Sequence, residues 1–328
     1  MAVVVTGSAG FVGQTTVRTL LDAGYAVVGV DRRPHPPPVG PHPAAGRRFT
    51  SLTADLLAGD AGVREALDSA DAVVHLAGCP GVRDGGPDVA QRRHRDNVLA
   101  TQVVLDAVPL HTPLVVASSS SVYGGSVAGA PCVESDVLRP MGGYAESKRA
   151  AEQLCRRRLD AGGVVAMARM FTVAGEGQRP DMALTRWIAA ARNGQALHIF
   201  GSLDRTRDIT DVRDAARALV ALAERHVRGP MNVGTGVGHR LRSLVDVTAE
   251  VLGVDVTTAV TPAHPDEVSD TLADVRRLRK AVGFVPVTDL RDVITRQVAA
   301  SGQTDAGTGV GTAAGSARHR GSGVVTVT

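Results

Sequence analysis

Short valine-rich runs recur along the first half of the chain, and none of them alternates apolar with polar residues. They are "AVVVTG" (2–7), "AVVGVD" (26–31), "AVVHLAG" (72–78), "PLVVASSS" (113–120) and "GVVAMARM" (163–170). A strand with one face in water alternates, whereas a short continuous apolar run suits a strand buried on both faces. Helix-like segments separate the runs at 11–24, 60–69, 88–108 and 144–161. That alternation supplies the crossovers that parallel strands require. The sequence therefore predicts an α/β fold, a doubly wound parallel sheet, over residues 1–170.

Beyond about residue 175 the pattern breaks into short mixed elements. "GPMNVGTG" (229–236) reads as one more strand of the first sheet, 241–252 and 272–282 as helices, and "VDVTTAV" (254–260) as a strand between them. Residues 171–300 are expected to form mainly a smaller mixed α/β lobe. The proline-rich stretch 31–46 must be loop. Residues 301–328, nearly devoid of large apolar side chains, read as a disordered tail. No internal repeat is visible.

With 44% hydrophobic residues and only 3% aromatic, the core must be aliphatic. A net charge of +3 is too slight for a nucleic-acid binder, and arginine clusters such as "RRRL" from Arg156 read as solvated helix faces. Cys79, Cys132 and Cys155 show no CxxC pairing and no metal spacing, which fits a reducing compartment. No run reaches membrane-spanning length and the "MAVVV" start is too short for a secretory core, so the expectation is a soluble, cytoplasmic protein without membrane or nucleic-acid partners.

"VVVTGSAGFVG" sets Gly7, Gly10 and Gly13, with Phe11 and Val12 among them, between the first strand and the first helix. Glycines there let the backbone turn tightly, approach a pyrophosphate and aim helix amides at it. Asp31 ends the second strand 18 residues after Gly13, where a carboxylate can hold both adenosine ribose hydroxyls and repel a 2′-phosphate. NAD is thus the expected cofactor, although Arg32 and Arg33 soften the preference, because an arginine nearby can accommodate that phosphate. Asp55 and Leu56 are candidates for the adenine side. Leu76, Ala77 and Gly78 should line the same crevice. The first block reads as a Rossmann-type dinucleotide domain.

Tyr144 and Lys148 lie four residues apart and share one helix face. A free phenol, with a pKa of about 10, is a poor base at neutral pH, and a nearby ammonium favours the phenolate. Ser119, at the carboxyl end of a strand, can share a hydrogen bond with the reacting oxygen. "TGSAGFVG", "HLAG", "SSSSVYG" and "YAESK", in this order, resemble the extended short-chain dehydrogenase/reductase family of nucleotide-sugar enzymes, over roughly residues 1–290. The resemblance implies that Ser119, Tyr144 and Lys148 take the proton of a sugar alcohol as its hydride goes to NAD, Lys148 also holding the nicotinamide ribose.

Dehydratases of that family carry Asp-Glu after the serine, and decarboxylases a Glu at the second position. Here both are serines, Ser120 and Ser121, which leaves reversible oxidation at one carbon, the requirement for an epimerase. "PGVR" (80–83) and "RMFTVAGEGQRPDMAL" (169–184) are similar to the uronate branch of the 4-epimerases. That likeness implies that Thr172 and Arg179, with Ser121 as a third contact and Arg83 nearby, hold a sugar carboxylate. It also implies that Arg207 meets a UDP diphosphate and Phe200 lines the base, while Asp208 and Asp214 brace the lobe. The chain departs from the family at Ala174 and Glu176, where Tyr and Pro are usual, and at "HPDEV" (264–268), which lacks the usual arginine and glycine. The expectation is an NAD-dependent 4-epimerase of UDP-glucuronate and UDP-galacturonate. The alternatives are a 4-ketoreductase or dehydrogenase, or a non-catalytic nucleotide-binding scaffold, and the family resemblance implies a homodimer through 88–108 and 144–161.

Overall fold

The computed structural model describes residues 1–36, 48–81, 86–263 and 267–307, the last six of these by their backbone alone. Seven parallel strands form the main sheet in the order β10-β6-β5-β4-β1-β2-β3. They are β1 (Ala2–Thr6), β2 (Ala26–Asp31), β3 (Phe49–Thr53), β4 (Ala72–His75), β5 (Leu114–Ser119), β6 (Val165–Met170) and β10 (Gly229–Val233). Every valine run is a strand, and 229–236 does return to this sheet.

The central strand shows why continuous apolar runs were needed. Val3 and Val5 face one core, against α1 (Phe11–Asp22), α7 (Val212–Glu224) and α9 (Arg276–Val282). Val4 faces the other, against α2 (Ala61–Asp68), α4 (Ala100–Ala107) and α5 (Gly142–Asp160). Two of these covering helices, α7 and α9, come from beyond residue 171, so the nucleotide domain is completed by the second half of the chain. The lobe is a third core around Trp187, Ile199 and Ile209. It is built from α6 (Ala183–Arg192), α8 (Leu241–Leu252), α10 (Leu290–Gly307), the parallel pair of β8 (Leu197–Phe200) and β12 (Thr258–Thr261), and a sheet ordered β11-β9-β7. In that sheet β7 (Thr172–Ala174) and β9 (Thr206–Asp211) are parallel, and β11 (Gly238–Arg240) is antiparallel.

Several expectations are corrected. The helix expected over 88–108 is α3 (Val89–Arg93) running through a π-helical stretch (His94–Leu99) into α4. The wider π turn brings consecutive Asp96 and Asn97 inward, both buried. The helix expected from 272 starts only at Arg276, because 271–274 is held in extended form: the Thr271 carbonyl accepts from the Asp208 amide and the Thr271 amide donates to the Thr206 carbonyl, both of β9, and Cys132 bridges Ala273. The tail expected from Ser301 is helical to Gly307; residues 308–328 and most of the proline-rich loop lie outside the described residues. The "RRRL" cluster is solvated at Arg156 and Arg157 but not at Arg158, which is buried and donates to the carbonyls of Leu105, in the last turn of α4, and of Val108 and Pro109 just beyond it. A helix C-terminus buried here needs a donor for its orphan carbonyls, and the guanidinium provides it. Among the described residues no helix is long and apolar enough to cross a membrane.

Candidate active site

A cleft of about 1760 Å³ opens at the carboxyl ends of the main-sheet strands and extends under the lobe. Its floor is the glycine turn. Gly7 adopts φ +69°, and a Cβ on it would lie 2.5 Å from the Ala77 nitrogen; one on Gly13 would lie 2.1 Å from the Gly7 carbonyl oxygen. Only bare backbone fits, so the β1–α1 turn is drawn against the β4 end. Gly10 is the N-cap of α1 and no side chain caps that helix, while Phe11 and Val12 line the cleft. This cradle fits a dinucleotide pyrophosphate.

At the end of β2 the Asp31 carboxylate accepts from the Ala9 and Arg33 amides at 3.1 and 2.9 Å. Arg32 turns away to Asp96 at 2.9 Å, and Arg33 to the Ala9 carbonyl at 3.1 Å. Leu56 is buried beside the cleft. Asp55 also lines it, but its carboxylate is already engaged by the Leu57 amide and by Arg95. Those bonds hold its pKa below the ordinary carboxylate range although burial pushes it up. Leu76, Ala77 and Gly78 follow β4 along the crevice.

Ser119, Tyr144 and Lys148 all line this cleft. Lys148 is buried and its Nζ donates to the Ala117 carbonyl at 3.0 Å; burial brings its pKa down to about 8. The Ser119 Oγ accepts from the Ser121 amide at 3.2 Å and caps the 3₁₀ turn Ser120–Tyr123. Burial raises the Tyr144 phenol above its ordinary value, while the Ser119 hydroxyl and the guanidiniums of Arg179 and Arg93 pull it down. The expectation of a lowered phenol pKa is thus reversed, because desolvation outweighs the neighbouring charges.

On the lobe side Ser120, Ser121, Thr172, Arg179, Phe200 and Arg207 meet at the same cleft. The Ser121 Oγ is buried without a hydrogen-bond partner. Arg179 donates through Nε and Nη2 to Asp181 at 2.8 and 2.7 Å. Arg207 donates to the carbonyls of Val268 and Ser269 at 2.9 and 2.6 Å and lies 3.8 Å from Glu267. The described end of the altered "HPDEV" segment is therefore clamped by Arg207. Arg83 and residues 264–266 lie outside the described residues. Glu176 pairs with Arg213 at 2.6 Å and Arg296 at 3.2 Å, so it ties α7 to α10. Asp208 accepts from Thr235, Gly236 and Ala273, and Asp214 from Val287 and Arg217, a bracing role for both.

The profile of the NAD dependent epimerase/dehydratase family matches residues 3–234. The chain belongs to this family. An uncharacterized UDP-glucose epimerase of Bacillus subtilis (strain 168), YtcB, is 31% identical over 319 residues, covering 91% of this chain and 97% of that protein. The UDP-glucuronic acid 4-epimerase of Bacillus cereus, solved with UDP-glucuronic acid and NAD, matches with a TM-score of 0.83 at 29% identity, over 93% of this chain and 100% of that one. MoeE5, solved with the same two ligands, matches with a TM-score of 0.81 at 36% identity, again over 93% and 100%. NAD is the cofactor of this epimerase/dehydratase, and the UDP-sugar 4-epimerases among its relatives place it with the isomerases.

Several residues of this family member's site were not singled out from the sequence. Asn97 donates from its amide to the Cys79 carbonyl at 3.0 Å and to Ser147 at 2.9 Å, while its oxygen accepts from the Cys79 amide. It thus joins the β4 end to α5. Beneath Ser119, Glu152 accepts from Ser118 at 2.6 Å and from Arg169 at 2.8 and 2.7 Å, and Arg169 also donates to Tyr123. Glu152 continues the four-residue step of Tyr144 and Lys148, a signal the sequence did hold. Nothing in a regular helix period marks Asn97, because the π turn decides where it points.

Proposed function

We propose that this protein is a nucleotide-sugar 4-epimerase whose substrates are UDP-glucuronate and UDP-galacturonate. Bound NAD supplies a reversible hydride acceptor at the carbon bearing the reacting hydroxyl. Tyr144 takes the hydroxyl proton and later returns it, and Ser119 shares a hydrogen bond with the same oxygen. The Ser119 hydroxyl and the Arg179 and Arg93 guanidiniums are the chain's own means of lowering the phenol pKa. Lys148, anchored on Ala117, stays beside the cofactor side of the cleft. Ser120 and Ser121 offer hydroxyls where eliminating water would call for an acid and a base.

The observation that carries the uronate reading is Arg179. It lines the cleft with Tyr144, near enough for its charge to act on the phenol, and Asp181 occupies only Nε and Nη2. A planar fork with a nitrogen to spare suits a carboxylate. Arg179→Ala should lower the specificity constant for UDP-glucuronate about 10- to 150-fold and leave UDP-glucose within about threefold, the loss of one charge-assisted pair. An equal, small effect on both substrates refutes the assignment.

The protein is further proposed to be a homodimer through α3–α4 and α5, where Leu99 is left exposed. A monomer in light scattering at micromolar concentration contradicts this.

A further inference from the structure

The adenosine end of the cleft carries an ion-pair chain that neither the cradle nor the chemistry explains. Arg32 Nη2 donates to Asp96 Oδ2 at 2.9 Å. The other oxygen of Asp96 accepts from Arg95 Nη1 at 2.7 Å, and Arg95 Nη2 pairs with Asp55. The chain links the end of β2, the turn after β3 and the π-helical stretch, and Asp31, Arg32, Asp55 and Asp96 all line the cleft. It is lopsided in exposure: the Asp96 side chain is 11% exposed and that of Arg32 55%. The carboxylate is the fixed member, and the arginine is the one free to swing.

We propose that Asp96 is a cofactor-selectivity residue, holding Arg32 off the end of β2 and so denying a 2′-phosphate the cation it would need. An arginine next to the ribose-binding acid can accommodate a 2′-phosphate, and its planar fork suits a phosphate. Arg32 follows Asp31 directly and is the right residue in the right place, yet its guanidinium is committed elsewhere. Asp31, Asp55 and Asp96 balance Arg32, Arg33 and Arg95, so the adenosine end is locally neutral. Without Asp96 the balance becomes one positive charge, with Arg32 unpaired beside the ribose site. With Arg32 more than half in solvent the pair is screened and adds little stability, so its role lies in where it puts a charge. The inference concerns the cofactor and stands whatever the sugar is.

The test measures nucleotide binding and needs no turnover. Asp96→Asn, Asp96→Ala and wild type are stripped of nucleotide and titrated with NAD and NADP by calorimetry. Nucleotide carried through purification is released by denaturation and identified by mass. The ratio of NADP to NAD dissociation constants should fall on the order of tenfold in the Asp96 variants. Adding Arg32→Ala should abolish that gain, and adding Arg33→Ala should leave it. A ratio within twofold of wild type, or a gain that survives Arg32→Ala, overturns the proposal. Arg32→Ala alone, an exposed change that spares the fold, gives an independent check. It should leave NADP affinity unchanged, and weakened NADP binding would mean that Arg32 already serves the phosphate.

Discussion

The two walls of the cleft are made differently. The cofactor wall is mostly backbone: Gly7 and Gly13 are packed where no Cβ fits, and Asp31 is fixed by two main-chain amides. The substrate wall is mostly side chains that already have partners, Arg179 on Asp181 and Arg207 on the carbonyls of Val268 and Ser269. The first wall is pre-organised, and the second is held by separate side-chain pairs that can loosen one at a time. Substitutions should therefore fail abruptly on one side and by degrees on the other.

The largest effect is expected on the backbone wall. Gly13→Ala forces a methyl to within 2.1 Å of the Gly7 oxygen, so the turn must shift. Purified variant should carry no dinucleotide and lose about 1–3 kcal/mol of stability, as overpacking does, measured by denaturant unfolding and nucleotide release. Full cofactor content would break the contrast. Next comes Tyr144→Phe, which should lower turnover about 10²- to 10⁴-fold with bound dinucleotide unchanged. Retained activity would remove Tyr144 from catalysis. On the side-chain wall, Asp181→Asn should change the KM for the uronate only about two- to tenfold, by loosening the fork it holds. Abolished activity would mean that this wall is as rigid as the other.

Lys148 gives a smaller signal with a definite sign. Burial holds its folded pKa at about 8, below the ordinary lysine value of 10.5. Between those values the unfolded chain holds the proton that the folded one has lost, so the lysine's contribution to stability rises with pH across this window. Below pH 8 the full penalty of burying the ammonium is present. Relative to Lys148→Met, the wild type should gain on the order of 1–3 kcal/mol between pH 8 and 10.5. Parallel stability curves would mean that the ammonium is not desolvated.

How much was legible follows the same division. A strand buried on both faces must be continuously apolar, so the valine runs declared themselves, and the glycine turn and Tyr144–Lys148 spacing are local patterns. β3 escaped because "FTSLT" lies at the sheet edge with mostly exposed side chains. In the lobe the helix at 241–252 was legible and the strand read at 254–260 lies at 258–261, but β7, β9 and β11 escaped because they are three to six residues long and pair with distant segments. Arg158 read as a surface charge because nothing local shows the carbonyls of Leu105 and Val108 arriving from 50 residues away or more. The partners of Arg32 and Arg207, more than 60 residues away, were likewise invisible. Motifs name residues, but whether a guanidinium is available depends on what the fold sets beside it.

The central claim is tested most directly by incubating the protein as purified, with no added dinucleotide, with UDP-glucuronate and separately with UDP-glucose. Products are separated by chromatography while absorbance of the reduced nicotinamide is followed. The account predicts conversion of UDP-glucuronate to UDP-galacturonate, little turnover of the neutral hexose, and no net accumulation of reduced cofactor. Epimerisation of UDP-glucose alone, or stoichiometric reduction of added NAD, would contradict it.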